Sequence, residues 1–110
     1  MKNFHVIGCH GLILIQFLLY QTIKSALADA FADYASSLTV SDKGQASNSD
    51  HKSFEDEGFD AALIIEANPS SNPNYHQATD SVDTPNYLDY TFASNITSAV
   101  VGYVATAAGM

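Results

Sequence analysis

His76 is the residue in this chain best placed to do chemistry. It lies in Asn72-Pro73-Asn74-Tyr75-His76-Gln77-Ala78-Thr79-Asp80, four residues before an aspartate. Imidazole nitrogens and carboxylate oxygens are ligands that zinc prefers. A carboxylate at that spacing can brace the loop or orient the imidazole ring from behind. A second pair, Asp50 and His51, sits in the turn Ser49-Asp50-His51-Lys52-Ser53-Phe54. Glu66 closes an apolar run, and Tyr75 stands next to His76. On spacing alone these signals are weak. A loop histidine is more often a solvated surface residue than a ligand. Asp50 in a polar turn can simply cap local backbone, a strand-end glutamate can reach solvent, and Tyr75 can be no more than a loop anchor.

The elements that must position these residues are legible in outline. Ala61 to Glu66 is a continuous apolar run between Gly58 and Asn68-Pro69, as expected of a strand buried on both faces of a parallel sheet. Asn68 to Tyr75 carries two prolines, two serines and three asparagines, and reads as a loop. A histidine on a loop leaving the end of a parallel strand lies where open α/β sheets place their sites. Phe54 to Gly58 predicts a short helical turn, with Ser53 as its N-cap, three acidic residues in its first turn and Gly58 closing it. Thr84-Pro85 predicts the start of a final helix. Its apolar face is Leu88, Phe92, Ile96, Ala99, Val100, Tyr103, Val104 and Ala107, and it ends near Gly109. Asn95-Ile96-Thr97 fits the glycosylation pattern, but within that helix it is not expected to be used.

The N-terminal third has two readings. Leu12 to Tyr20 is apolar except for Gln16. It is too short to span a bilayer, which sets a membrane-embedded protein aside. Its length suits the hydrophobic part of a signal peptide, with Ala28-Asp29-Ala30 as a cleavage site, and that reading makes the protein secreted or periplasmic. Lys2 is the only cation ahead of the run. Against this, Leu12, Ile15, Leu19, Ile23, Leu27, Phe31 and Tyr34 recur at helical spacing, with Thr22, Ser25, Asp29 and Asp33 on the other face. That amphipathic core helix runs through the cleavage site and is the preferred reading. Leu38-Thr39-Val40 predicts a short strand, and Ser41 to Asn48 a loop containing Gly44.

Composition excludes some classes. The 110 residues hold 12 acidic side chains against four lysines and no arginine. All four lysines precede Ser53, whereas eight acidic side chains follow it. Nucleic acid needs cations to neutralise its phosphates, so it is set aside as a partner. Cys9 is the only cysteine, so no internal disulfide forms. There is no internal repeat. One unit is expected over residues 21–110, with residues 1–20 as an apolar lead segment, signal-like or the start of the helix.

The order of these motifs resembles the C-terminal third of the co-catalytic di-zinc aminopeptidases, the group of bacterial leucyl aminopeptidases and glutaminyl cyclases. A Ser-Asp-His-x-x-Phe turn, an apolar strand ending at Glu66, and Asn-Pro-x-Tyr-His-x-x-x-Asp follow one another as in that family, from about Leu27 onward. The resemblance implies that His76 is a zinc ligand, and that Asp50, His51, Glu66 and Tyr75 line or frame a peptide-substrate pocket. Asp80 is its outer partner. The implied reaction is hydrolysis of N-terminal peptide bonds by zinc-activated water. Some secreted relatives carry a cysteine pair before the Ser-Asp-His turn, which this chain lacks. The family draws its other ligands and its general base from upstream segments, a His-x-Asp pair and a Glu-Glu pair among them. Neither pattern occurs here, and His5 and His10 lie in a segment that does not match. The chain is therefore expected to be the C-terminal piece of an α/β sandwich with a mostly parallel sheet, flanked by an N-terminal and a C-terminal helix, and inactive alone. One or two strands make little sheet, so an open edge inviting self-association or a partner is expected. The rival readings are a non-catalytic interaction protein and a small secreted acidic protein.

Overall fold

The computed structural model describes residues 12–17, 21–42 and 47–110. His5, Cys9 and His10, the first part of the signal-like segment, and the loop around Gly44 lie outside the described residues. In chain order the elements are β1 (Leu12–Phe17), α1 (Gln21–Tyr34), β2 (Thr39–Asp42), α2 (His51–Asp56), β3 (Ala62–Glu66), a 3-10 turn at Pro69–Ser71, and α3 (Tyr90–Ala107).

The largest departure from expectation is at the start. Leu12–Phe17 is a strand, not the first turns of a helix, and the described helix α1 is Gln21–Tyr34. A run of alternating leucine and isoleucine suits either state, and the decision is made by partners distant in sequence. Here β1 is the centre of a three-stranded sheet of order β2-β1-β3. It pairs in parallel with β2, Leu12 opposite Thr39, and antiparallel with β3, Ile13 opposite Glu66. The expected mostly parallel sheet is thus half antiparallel, and the sheet does not close. β1, α1 and β2 form a crossover unit, which parallel pairing requires. β3 arrives from α2 on the other side of β1 and runs the opposite way.

Within α1 the helical stripe holds at Ile23, Leu27 and Phe31, but Tyr34 at its end is exposed. Leu27 and Phe31 are buried, and Ala35 just past the helix joins them. With Phe92 and Ala99 of α3 they form the core, against which Ile23, Leu38, Val40, Ala62, Ile64, Ile96 and Tyr103 pack. Ala62 and Ile64 share one face of β3, because strand side chains alternate. Leu63 and Ile65 fall on the opposite face. Residues 62–65 are half-buried and Glu66 alone is buried, so β3 is not the doubly covered strand its composition suggested. Through Ala62 and Ile64 one of its faces packs on the core formed by α1 and α3.

Gly58 closes α2 as expected. Its φ is +84°, and the Phe59 amide donates to the Phe54 carbonyl at 3.0 Å, the bond of a left-handed helix cap. The start of α2 differs. It begins at His51, two residues ahead of the expected Ser53 cap. Lys52 pairs with Asp56 one turn on.

The last helix starts at Tyr90, not at Thr84-Pro85. Thr84 Oγ1 instead donates to the Thr79 carbonyl at 2.6 Å, and the chain runs on through turns to Tyr87. Tyr87 is almost fully buried, and seating it keeps residues 87–89 out of a helix. Asp89 then caps α3, its Oδ1 accepting from the Phe92 amide at 2.9 Å. Replacing Asp89 by alanine is expected to cost about 1 kcal/mol, read as a shifted denaturation midpoint. The expected apolar face of α3 holds at Phe92, Ile96, Ala99, Val100 and Tyr103, but Val104 and Ala107 are exposed. Asn95 of the glycosylation pattern donates to Ser37 Oγ at 3.4 Å. Among the described residues no helix is long and apolar enough to cross a membrane.

Candidate functional site

The loop between β3 and α3 carries the site. Pro69–Ser71 forms one 3-10 turn as the chain leaves β3, and the Tyr75 amide donates to the Asn72 carbonyl at 3.1 Å. The next turn is closed by Gln77 N–H to the Asn74 carbonyl at 3.0 Å, and the following one by Asp80 N–H to the Gln77 carbonyl at 3.0 Å. His76 is the third residue of the turn from Asn74 to Gln77, and its φ is +61°. A turn with positive φ at that position normally takes glycine or asparagine. For any other L-residue the left-handed conformation costs about 1–2 kcal/mol. A histidine there is held against its own preference, and such held residues concentrate at functional sites. The imidazole is exposed, and the Tyr75 ring meets it edge-on with ring centroids 4.1 Å apart.

Beneath this turn lies a polar cluster that is shut from water. Glu66, at the end of β3, and Asn72 are 7 % and 3 % exposed. Asn72 Nδ2 donates to Glu66 Oε1 and to Tyr87 Oη, both at 3.3 Å. Tyr87 Oη donates in turn to Asp80 Oδ1 at 2.6 Å. Asn72 Oδ1 accepts from the Asn74 amide at 3.0 Å. Buried polar groups are costly unless they are paired, and the chain from β3 through Asn72 to Tyr87 pairs these.

The candidate residues divide accordingly. Glu66, Tyr75, His76 and Asp80 come together on one loop and its root. Glu66 does not reach solvent, and its carboxylate is engaged by Asn72. Asp80 is tied to Tyr87. Asp50 and His51 stand at the start of α2, with Asp50 exposed and His51 buried. The Asp50 side chain makes no cap bond to α2, so the simple capping reading of that turn does not hold.

Asn72 and Tyr87 were not singled out by sequence. In the sequence Asn72 figures only as the first residue of the Asn-Pro-x-Tyr-His motif, and Tyr87 only as a residue of the expected final helix, off its apolar face. The only hint was an aromatic within a stretch otherwise made of turn formers.

The described residues do not form a complete metal site. No three histidine, cysteine, aspartate or glutamate side chains among them come together in a way that could hold an ion. His76 is one donor, presented outward from a stiffly built loop.

The structure is a small mixed α/β unit that presents His76 outward on the loop following β3. The sequence pattern of Peptidase family M28 matches residues 16–104, and the chain belongs to that family. It is a family of metallopeptidases that are generally zinc-dependent. The resemblance drawn from the Ser-Asp-His turn and the Tyr-His loop is thereby borne out. No curated protein and no solved structure matches the chain.

Proposed function

We propose that this chain is the His76-bearing part of an M28 metallopeptidase of the aminopeptidase type, acting on the N-terminal bonds of peptides. His76 contributes one ligand. Asp50, His51, Glu66, Tyr75 and Asp80 shape the pocket beside it. The His-x-Asp and Glu-Glu ligand segments come from sequence other than these 110 residues, and the chain by itself is catalytically silent. The observation that supports this is the positive φ of His76, a strain that a merely solvated histidine does not require.

The test separates strain from chemistry. His76→Gly is expected to raise the stability of the purified chain by about 1 kcal/mol, because glycine adopts this conformation freely. His76→Ala brings no such gain. Combined with a polypeptide carrying the His-x-Asp and Glu-Glu segments, the wild-type chain is expected to support zinc-dependent release of N-terminal residues, and both variants to lose it. Hydrolysis that persists in the variants removes His76 from the site. Zinc-dependent hydrolysis by the chain alone removes the silent reading.

A non-catalytic role draws on one observation. β2 and β3 are the outer strands, and no further strand pairs with either among the described residues. Such edges accept partner strands. In the peptidase reading the same edges receive the remaining sheet.

A further inference from the structure

We infer that Tyr87, acting with Asn72, is the positioning residue of the His76 turn, a buckle that ties the entry of the loop to its exit. The loop rises at Asn72, passes through His76 and descends at Asp80. The Tyr87 hydroxyl accepts from the Asn72 amide at 3.3 Å and donates to Asp80 Oδ1 at 2.6 Å, so one oxygen joins both ends. Asn72 spends its other donor on Glu66, which belongs to β3, and its carbonyl oxygen on the Asn74 amide inside the loop. Tyr87 itself stands two residues before the cap of α3. The turn is therefore slung between the end of a strand and the beginning of a helix, and not left to its own bonds.

Burial makes this arrangement directional. Tyr87 and Asn72 are 2 % and 3 % exposed, so water does not compete for their hydrogen bonds. A phenylalanine would fill the same space. Only a hydroxyl can accept on one side and donate on the other. What holds a disfavoured backbone conformation is a surrounding structure that over-determines it. Here Glu66, Asn72, Asp80 and Tyr87 belong to that surrounding structure. For catalysis the inference rests on the reading of His76 as a ligand, because the buckle acts on the reaction only through that residue.

The experiment uses the isotopically labelled full chain without metal. It reads the His76 Cα and Cβ chemical shifts, which report its left-handed backbone, and amide exchange over residues 74–80. Tyr87→Phe and Asp80→Ala are expected to move the His76 shifts toward ordinary negative-φ values. Both should speed exchange in the loop by about tenfold or more, the loss of one buried hydrogen bond, while amides of the α1–α3 core keep their protection. Asp80→Asn keeps an acceptor oxygen for Tyr87 and is expected to restore the wild-type shifts. Leu27→Ala, in the core, is expected to lower core protection and leave the His76 shifts in place. Should Tyr87→Phe fail to fold, the contrast between Asp80→Ala and Asp80→Asn decides alone. Unchanged His76 shifts in Tyr87→Phe and Asp80→Ala overturn the inference, as does an equal shift in Leu27→Ala. Failure of His76 to act in hydrolysis sinks the functional reading and leaves this one standing, since no metal enters the measurement.

Discussion

Phe31→Ala is expected to destabilise the chain by about 3–5 kcal/mol, the range for removing a buried aromatic ring. Phe31 is 1 % exposed and sits among Leu27 and Ala35 from its own segment and Phe92 and Ala99 from α3. Phe31 from α1 and Phe92 from α3 are the two large rings of the core between the helices. Among its neighbours, Ala35 and Ala99 have no side chain that could swing to fill the hole. Most of the lost volume therefore stays as a cavity, which puts the cost toward the upper end. Small domains have about 5–15 kcal/mol of stability in all. The variant is expected to melt at least about 10 °C lower, or to be unfolded at room temperature. Calorimetry or circular dichroism against temperature reads it directly, and a drop of only a degree or two sinks the account of the core. Phe31→Leu, which keeps most of the volume, is expected to lose much less.

Gly102→Val is expected to cost about 2–3 kcal/mol, by a different route. Gly102 is buried in α3 under the ring of Tyr34, the last residue of α1. A Cβ at position 102 would stand 2.3 Å from two ring carbons of Tyr34 and 3.0 Å from a third. That is overlap, so one partner must move. Tyr34 is 53 % exposed and can swing outward, giving up its packing on α3. Alanine at 102 regains up to about 1 kcal/mol in helix propensity, which offsets much of that loss. Valine adds bulk and a branched Cβ without the same gain, so its net effect is destabilising. The check is a double-mutant cycle. Tyr34→Ala removes the ring, and Gly102→Val is expected to be nearly neutral on that background. Equal costs on both backgrounds would show that the contact is not the cause.

How much of this could be read from the residues follows the range of the interactions involved. The strand at Ala62–Glu66 and the body of the last helix are visible because their patterns are local and unbroken. Gly58 is visible because only glycine suits the cap it makes. The first strand is misread because Leu12, Ile15 and Leu19 satisfy a helical period by coincidence. What overrules that period is pairing with residues 39–42 and 62–66, which no local window contains. The start of α3 is misread for the same reason. Thr84-Pro85 is a sound local signal, and it loses to a tyrosine that must be buried three residues later. At the site, Glu66, His76 and Asp80 are candidates from their order along the chain, and the structure brings them onto one loop and its root. The left-handed turn under His76 is not legible, because it comes from hydrogen bonds between positions 66, 72, 80 and 87 that leave no periodic trace.

The central place of β1 has a consequence for how the chain reaches this structure. Its pairing with β3 joins residues about 50 positions apart, and the packing of Phe31 on Phe92 closes a still longer loop. Each such closure spends chain entropy before any contact returns it, although the penalty grows only slowly with length. Folds dominated by distant pairings are the slow ones. During synthesis, β1 precedes β3 and has nothing on its β3 side until Ala62–Glu66 emerges. Through that interval an apolar Leu-Ile-Leu-Ile segment waits with one edge open, the condition under which nascent chains associate wrongly or engage a chaperone. The α1–α3 pair cannot shield it either, because α3 follows β3 in the chain. The vulnerable interval is thus the one between the synthesis of β1 and that of β3, set by the position of a strand in the sheet and not by the final stability.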